Sequence, residues 1–192
     1  MIYRAINSEN FWQMEMIQTA INISDKKIDN LRDYIKNEKI IDYTSESNLN
    51  KKAGGIAKRM NSLDIFLIKE LANGDVVTSK FLILYSIIKT ERIMYDFLNE
   101  LIFSNHFKLK MYITKNEIDD FISNKIQQVP EVAKWTEATV KRMKSKIVEF
   151  FIQGGYLIKE KNDYTIAVPN INPKVKRYIL EDNGNLGRIL FF

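Results

Sequence analysis

The 192-residue chain has no cysteine and a single histidine, His106. Without thiols there is no disulfide, no thiolate metal site and no cysteine nucleophile, and the absence fits a reducing compartment. With one imidazole, a zinc site would have to rest on carboxylates, against that metal's usual ligands, so neither metal nor cofactor is expected. His106 itself reads as a surface or helix-end residue. Three prolines and seven glycines leave helical spacing almost uninterrupted before Gly154, so the chain should be mainly helical. The longest apolar run, Phe81 to Ile88, is bracketed by Lys80 and Lys89 and has less than half the roughly 20 residues of a membrane span. The first residues lack the basic, apolar and small-residue succession of a signal peptide. A cytoplasmic protein with no membrane contact is therefore expected. Catalytic signatures are missing too: there is no G-x-S-x-G, no Walker loop, and no glutamate followed two places later by lysine, so no catalytic residue is assigned and an enzyme is not expected. Glu117, Asp119 and Asp120 form the densest acidic cluster. They fall in the first turns of a helix, where the helix dipole favours carboxylates.

What the chain does have is positive charge in two places. Its net charge is +5, a modest value whose distribution matters more than its sum. From Val132 to Lys161 seven bases stand against three acids, and from Ser47 to Asn61 four bases stand against none. Elsewhere the charges cancel or run acidic.

The order of elements follows from periodicity and caps. Ser8 could cap a first helix through about Ile21, and Ser24 with Asp25 could start a second. In the basic run, Leu49, Ala53, Ile56, Met60 and Leu63 share one helical face, with Lys51, Lys52, Lys58 and Arg59 assigned to the opposite side. Gly54 and Gly55 in that helix predict a kink or a close backbone approach. Three apolar helices between about residues 63 and 107 should supply the core. Thr114 and Glu117 have the capping-box spacing, Pro130 predicts an extended link, and Thr136 should cap a helix to about Gln153. Tyr156 to Glu160 and Tyr164 to Val168 read as a hairpin. Asn172 and Pro173 start a last helix, and the apolar Arg188 to Phe192 must dock somewhere, with a third strand as one option.

Helix, link, basic helix and basic-tipped hairpin, in that order, is the order of a winged helix-turn-helix. The expected architecture is thus mainly α: an N-terminal helical bundle over residues 1–108, a winged helix-turn-helix with a small β-hairpin over 109–170, and a C-terminal helix and tail over 171–192 packed on the second unit. Within the basic helix, Val140, Met143, Ile147, Phe150 and Phe151 form the inner seam. The candidate nucleic-acid contacts are Lys134, Thr136, Ala138, Thr139, Lys141, Arg142 and Ser145, with Lys159, Lys161 and Asn162 at the hairpin tip. Small and polar residues near the start of the helix let its backbone approach a groove, and its free N–H groups favour a phosphate. Lys51, Lys52, Lys58 and Arg59 form a second candidate surface. Trp135 reads as a wedge between helices. Solvated faces account for many single basic helices; the combination points to nucleic-acid contact.

Two segments, "KTERIMYDFLNELIF" (Lys89 to Phe103) and "VAKWTEATVKRMKSKIVEFFIQGGYL" (Val132 to Leu157), resemble the BrxA family, the A protein of bacterial BREX phage-exclusion systems. The order of elements is similar across nearly the whole chain, including "NSENFW" near the start and "LANGDVVTSKFLILYSIIKT" in the middle. The resemblance implies a small, mostly helical, non-enzymatic component of anti-phage defence with helix-turn-helix-like parts and affinity for duplex DNA. It also implies operon neighbours as partners: a methyltransferase, an ATPase and a phosphatase-like protein. The Gly54-Gly55 pair departs from the family pattern, in which that helix is more continuously basic. The alternative is an assembly module whose winged helix docks a protein, with the Arg188 to Phe192 tail as an anchor. A monomer is the expected state in either case.

Overall fold

The structure is a computed structural model that describes residues 2–192. The chain folds mainly as helices. The first half comprises α1 (Gln13–Ile23), α2 (Leu31–Asn37), α3 (Glu46–Met60), α4 (Ile65–Asn73) and α5 (Val76–Thr90). Next come α6 (Arg92–Asp96), a π-helical stretch (Phe97–Phe103) and α7 (Ser104–Phe107). Strand β1 (Tyr112–Thr114) leads into α8 (Lys115–Gln128), the single turn α9 (Pro130–Ala133) and α10 (Glu137–Gln153). β2 (Leu157–Lys159), β3 (Asp163–Ile166), α11 (Pro173–Asp182) and α12 (Gly184–Leu190) complete it.

The core is organised around α5. Every residue from Phe81 to Ile88 is buried, because α1, α3, α4, α6 and α10 all pack against this helix. One apolar cluster runs from Ile6 through α5 and α10 to Leu190. A buried Asp96 anchors the π-helical stretch: it accepts from Tyr3 and Arg92, and from the Lys125 ammonium at 2.7 Å. Lys125, only 4% exposed, also reaches Glu100 at 2.6 Å. Burial opposes its charge, but the two carboxylates outweigh that and hold its pKa above the ordinary lysine value.

Residues 3–12 form an irregular strap across this core. Tyr3 donates to Asp96, and the Arg4 Nε donates to Glu91 at 2.9 Å. The Ile6 N–H donates to the Met143 sulfur at 3.2 Å, and Asn10 Oδ1 accepts from Lys146 at 3.3 Å. The strap ends at Trp12, whose backbone is left-handed with φ 55°. That conformation costs a non-glycine residue about 1–2 kcal/mol, and it is held because the Trp12 ring is wedged between the backbone at Gly55 and the Arg59 guanidinium.

Several boundaries differ from expectation, each for a local reason. α1 starts after Trp12 rather than at Ser8, since the strap holds residues 3–12 out of helix. α2 starts at Asn30, whose side chain accepts from the Asp33 N–H, and not at Ser24, which closes α1. α3 is continuous through Gly54 and Gly55; close approach of Trp12 is what Gly55 serves. Val129 is extended, as expected before proline, but Pro130 then begins a helical turn rather than continuing an extended link. The third strand is not the C-terminal tail but β1, giving an antiparallel sheet of order β1-β3-β2. The tail is helical in α12, and Phe191 and Phe192 fold back onto Phe81, Phe103 and His106. Residues 171–192 reach 109–170 through the Tyr156 hydroxyl, which donates to the Leu190 carbonyl. They also rest on the first half, through Asn172 to Thr78 and Glu70, and Tyr178 to Asp64.

Candidate nucleic-acid interface

The segment around α8 and α10 is assembled by matched caps. Thr114 and Glu117 form a complete capping box at α8. Glu117 also accepts from Lys110 at 2.6 Å and Asn105 at 2.9 Å. Partial burial works against its charge, yet these donors and the Thr114 backbone and hydroxyl win, and hold its pKa down at about 2. Thr136 caps α10 by accepting from the Thr139 N–H. Along α10, Met143, Ile147, Phe150 and Phe151 are buried as the seam predicted, Val140 is half-buried, and Val148 joins the buried set. Trp135 is half-buried against the core and lines a hollow together with Ile126 and Val140.

The helix ends in two glycines with different duties. A β-carbon at Gly154 would lie 2.7 Å from the Leu84 β-carbon, so glycine is what lets α10 close onto α5. Gly155 has φ 85°, a left-handed turn that directs the chain into β2. The hairpin then pairs Leu157 with Ile166 and Lys159 with Tyr164, while β1 pairs Thr114 with Asp163 on the other side of β3.

The expected contact residues fall into two groups. Lys134, Ala138, Lys141, Arg142, Lys159, Lys161 and Asn162 are all exposed. Among the described residues, none of these cations has a carboxylate within ion-pair distance. Thr136, Thr139 and Ser145 are turned to their own helix: Thr136 and Thr139 share a hydrogen bond at 3.1 Å, and the Ser145 hydroxyl donates to the Lys141 carbonyl at 3.4 Å. Two cations absent from the expected set stand alongside. Lys115 and Lys144 join Lys159 around a groove of about 530 Å³ between α8, α10 and the hairpin. Lys144 is tied to Asp119 at 2.5 Å, while Lys115 is exposed. Only the folded arrangement of α8 against α10 shows this groove, because the two lysines lie 29 positions apart.

The second basic helix, α3, is a different object. Arg59 is not on its outer face: it is 1% exposed, and its guanidinium donates to the Asn10 carbonyl at 2.8 Å, the Phe11 carbonyl at 3.2 Å and Glu9 at 2.9 Å. The reason is angular. At 100° per residue, Arg59 lies about 60° from Ile56 and so at the edge of the buried face, not opposite it. Burial lowers its pKa to about 10 despite Glu9, which leaves it charged at neutral pH. Lys58 pairs with Glu91 at 2.7 Å, and Lys52 pairs with Glu15 at 2.7 Å and reaches the Asp42 carbonyl. Only Lys51 of the four is exposed and unpaired. His106 packs against Phe192 in a tilted arrangement with ring centres 4.3 Å apart. Among the described residues, no cluster of three or more histidine, aspartate or glutamate side chains could hold a metal ion, and no helix is long and apolar enough to cross a membrane.

Three comparisons bear on this arrangement. A crystal structure of an uncharacterized protein from Magnetospirillum magneticum superimposes with a TM-score of 0.77, covering 98% of this chain and 97% of that one at 15% identity; at that identity the likeness concerns the fold alone. The BREX protein BrxA of Bacillus cereus (strain H3081.97) is 30% identical over 170 residues, spanning 88% of this chain and 84% of that protein. The BrxA family model matches residues 1–183, and with that the chain belongs to the BrxA family.

Proposed function

We propose that the protein is a non-enzymatic accessory component of a BREX anti-phage system that binds double-stranded DNA in the cytoplasm. In this reading residues 109–170 form a winged helix-turn-helix, flanked by the helical unit 1–108 and the closing segment 171–192. α10 is the recognition helix and the turn at Lys161 and Asn162 is the wing. Membership in the BrxA family, and the printed name of the Bacillus cereus relative, support the link to defence. The observation that carries DNA contact is the pairing pattern: Lys141 and Arg142 are exposed with no carboxylate partner, on a helix whose opposite face is sealed into the core. Long cations left free in this way can neutralise phosphates, and the Thr136-capped N-terminus adds a favourable dipole. Lys134, Lys159 and Lys161 extend the same charge. The second surface on α3 contributes little to this reading, since three of its four cations are engaged internally. The test is fluorescence anisotropy with labelled duplex, single-stranded DNA and RNA across a salt series. Duplex affinity should fall steeply with salt, and Lys141→Ala and Arg142→Ala should each reduce the log-log salt slope by about one unit. Binding untouched by both substitutions would sink the assignment.

A protein-docking role has its own observation, though not the tail, since Leu190 is buried and Phe191 and Phe192 are folded back. Phe107 and Leu109, at the junction of α7 with the loop that follows it, are 78% and 87% exposed. The β1 pairing puts Thr114 beside Asp163, near the hairpin turn, so residues preceding Tyr112 lie toward the other end of the sheet. A contact with another component of the defence system would use this loop. Co-purification lost on Leu109→Ser, with DNA affinity unchanged, is the expected result.

A further inference from the structure

Gly54 has no internal reason to be glycine. At its neighbour Gly55 an added β-carbon would lie 2.5 Å from the Trp12 ring, so packing demands the small residue there. At Gly54 the nearest atom to such a carbon is Arg32 Nε, at 3.9 Å. Glycine in a helix interior weakens the helix, and here nothing in the protein occupies the space it leaves. That space is part of a concavity of about 340 Å³ formed where α2, α3 and the strap converge.

The lining of the concavity is cationic. Arg4, Arg32, Lys51 and Lys58 border it beside Trp12, and Arg59 stacks on the Trp12 ring with its guanidinium 4.5 Å from the ring centre. Two carboxylates balance these five cations. Glu9 takes Arg59 and Arg4, and Glu91, 1% exposed, takes Arg4 and Lys58. Among the described residues, Arg32 and Lys51 have no carboxylate partner: the Arg32 terminal nitrogen reaches Asn50 Oδ1, at 3.5 Å, and Lys51 is exposed. The positive excess is therefore fixed by the fold at one concave place. Its lining comes from three separate segments, the form of a small-molecule site.

We propose that this concavity binds the phosphate group of a small phosphate ester of nucleoside-monophosphate size. Arg32 and Lys51 supply charge-assisted hydrogen bonds to the phosphate, and Gly54 lets it approach the surface of α3. Arg4 and Lys58, held over Glu91, shape the field without committing their full charge. The volume lies near the lower end of the range for small-ligand sites, about 300–1,000 Å³. Neither Lys141 nor Arg142 lines the concavity, and the proposal does not depend on the DNA reading.

The experiment is a calorimetric titration of the full chain with AMP, pyrophosphate and inorganic phosphate, and in parallel with a DNA duplex. It uses the unsubstituted protein and the variants Arg32→Ala, Lys51→Ala, Gly54→Ala, Gly54→Glu and Lys141→Ala. The expected result is saturable binding of AMP or pyrophosphate. It should weaken at least about tenfold on Arg32→Ala or Gly54→Glu, less on Lys51→Ala, and stay unchanged on Lys141→Ala. Gly54→Ala should raise the melting temperature and still lower affinity, which covers the case of a misfolded Gly54→Glu chain. The proposal is overturned if no small phosphate binds at millimolar concentration, or if binding ignores Arg32 and Gly54. It is also overturned if these substitutions change duplex affinity alone, which would make the concavity part of the DNA surface.

Discussion

α3 and α10 carry the same sequence signature, four bases on a helix with an apolar face, and differ in how many of those bases the fold pairs and in where the partners come from. On α3, Lys52, Lys58 and Arg59 are consumed by Glu15, Glu91 and Glu9, all supplied by other elements. On α10, Lys144 and Lys146 are consumed by Asp119 and Glu149, and Lys141 and Arg142 are left free. The difference teaches that counting bases on a helix does not identify a binding surface. What matters is whether acids from the rest of the fold arrive at those bases, and that is a tertiary fact.

The largest expected effect breaks the α3 side of the comparison. Arg59→Ala removes one of the two cations paired with the nearly buried Glu9, together with the bonds to the Asn10 and Phe11 carbonyls, and should destabilise the protein by about 3 kcal/mol, measured by denaturant unfolding. Duplex affinity per folded molecule should stay the same. If the variant instead folds normally and loses DNA binding, the contrast between the helices is wrong. Next, Gly154→Ala forces a β-carbon against Leu84 and should cost about 1–3 kcal/mol. By unseating α10 from α5 it tests whether the outer face of α10 depends on the seam beneath it. On the α10 side, Lys141→Ala should lower duplex affinity by roughly tenfold, about 1.4 kcal/mol, with a thermal melt unchanged within about 0.5 kcal/mol.

The smallest effect concerns the cap of α8, the helix packed against α10. Glu117 has a folded pKa near 2 against a reference of 4.5. A depressed carboxylate pKa contributes stability that is present above the reference value and is lost as pH falls through the folded one. The protein should therefore lose stability between about pH 4.5 and 2, by roughly 1 kcal/mol from this group after allowance for solvent screening. Glu117→Gln should flatten that part of a stability-versus-pH curve measured by chemical denaturation.

Much of the second half was legible because its signals are local. Thr114 with Glu117, Thr136, the Gly154-Gly155 turn and Asn172 with Pro173 each act within a few residues, and the structure uses all of them as caps or turns. The apolar run from Phe81 to Ile88 announced the central helix for the same reason. The first half hid its logic in long-range pairs. Nothing near Arg59 in sequence shows that Glu9, 50 positions earlier, will draw it inward. Strand β1 escaped notice because three residues give no periodicity, and only the partner β3 makes them a strand. A third strand was one option for the tail because its apolar run has no helical contrast of its own; in the structure it is helical and packs onto Phe81 and Phe103.

The strap has a consequence for the order of events in the cell. Residues 3–12 leave the ribosome before any of the elements they will fasten, and the Ile6 bond to Met143 spans 137 positions. Such distant contacts close late, since the intervening chain must first be made and brought together. The strap therefore works as a completion latch. Tyr3, Arg4 and Glu9 can find Asp96, Glu91 and Arg59 once the chain has been made to about α6, but until α10 is seated the amide of Ile6 has no sulfur to find, so the middle of the strap is the part fastened last.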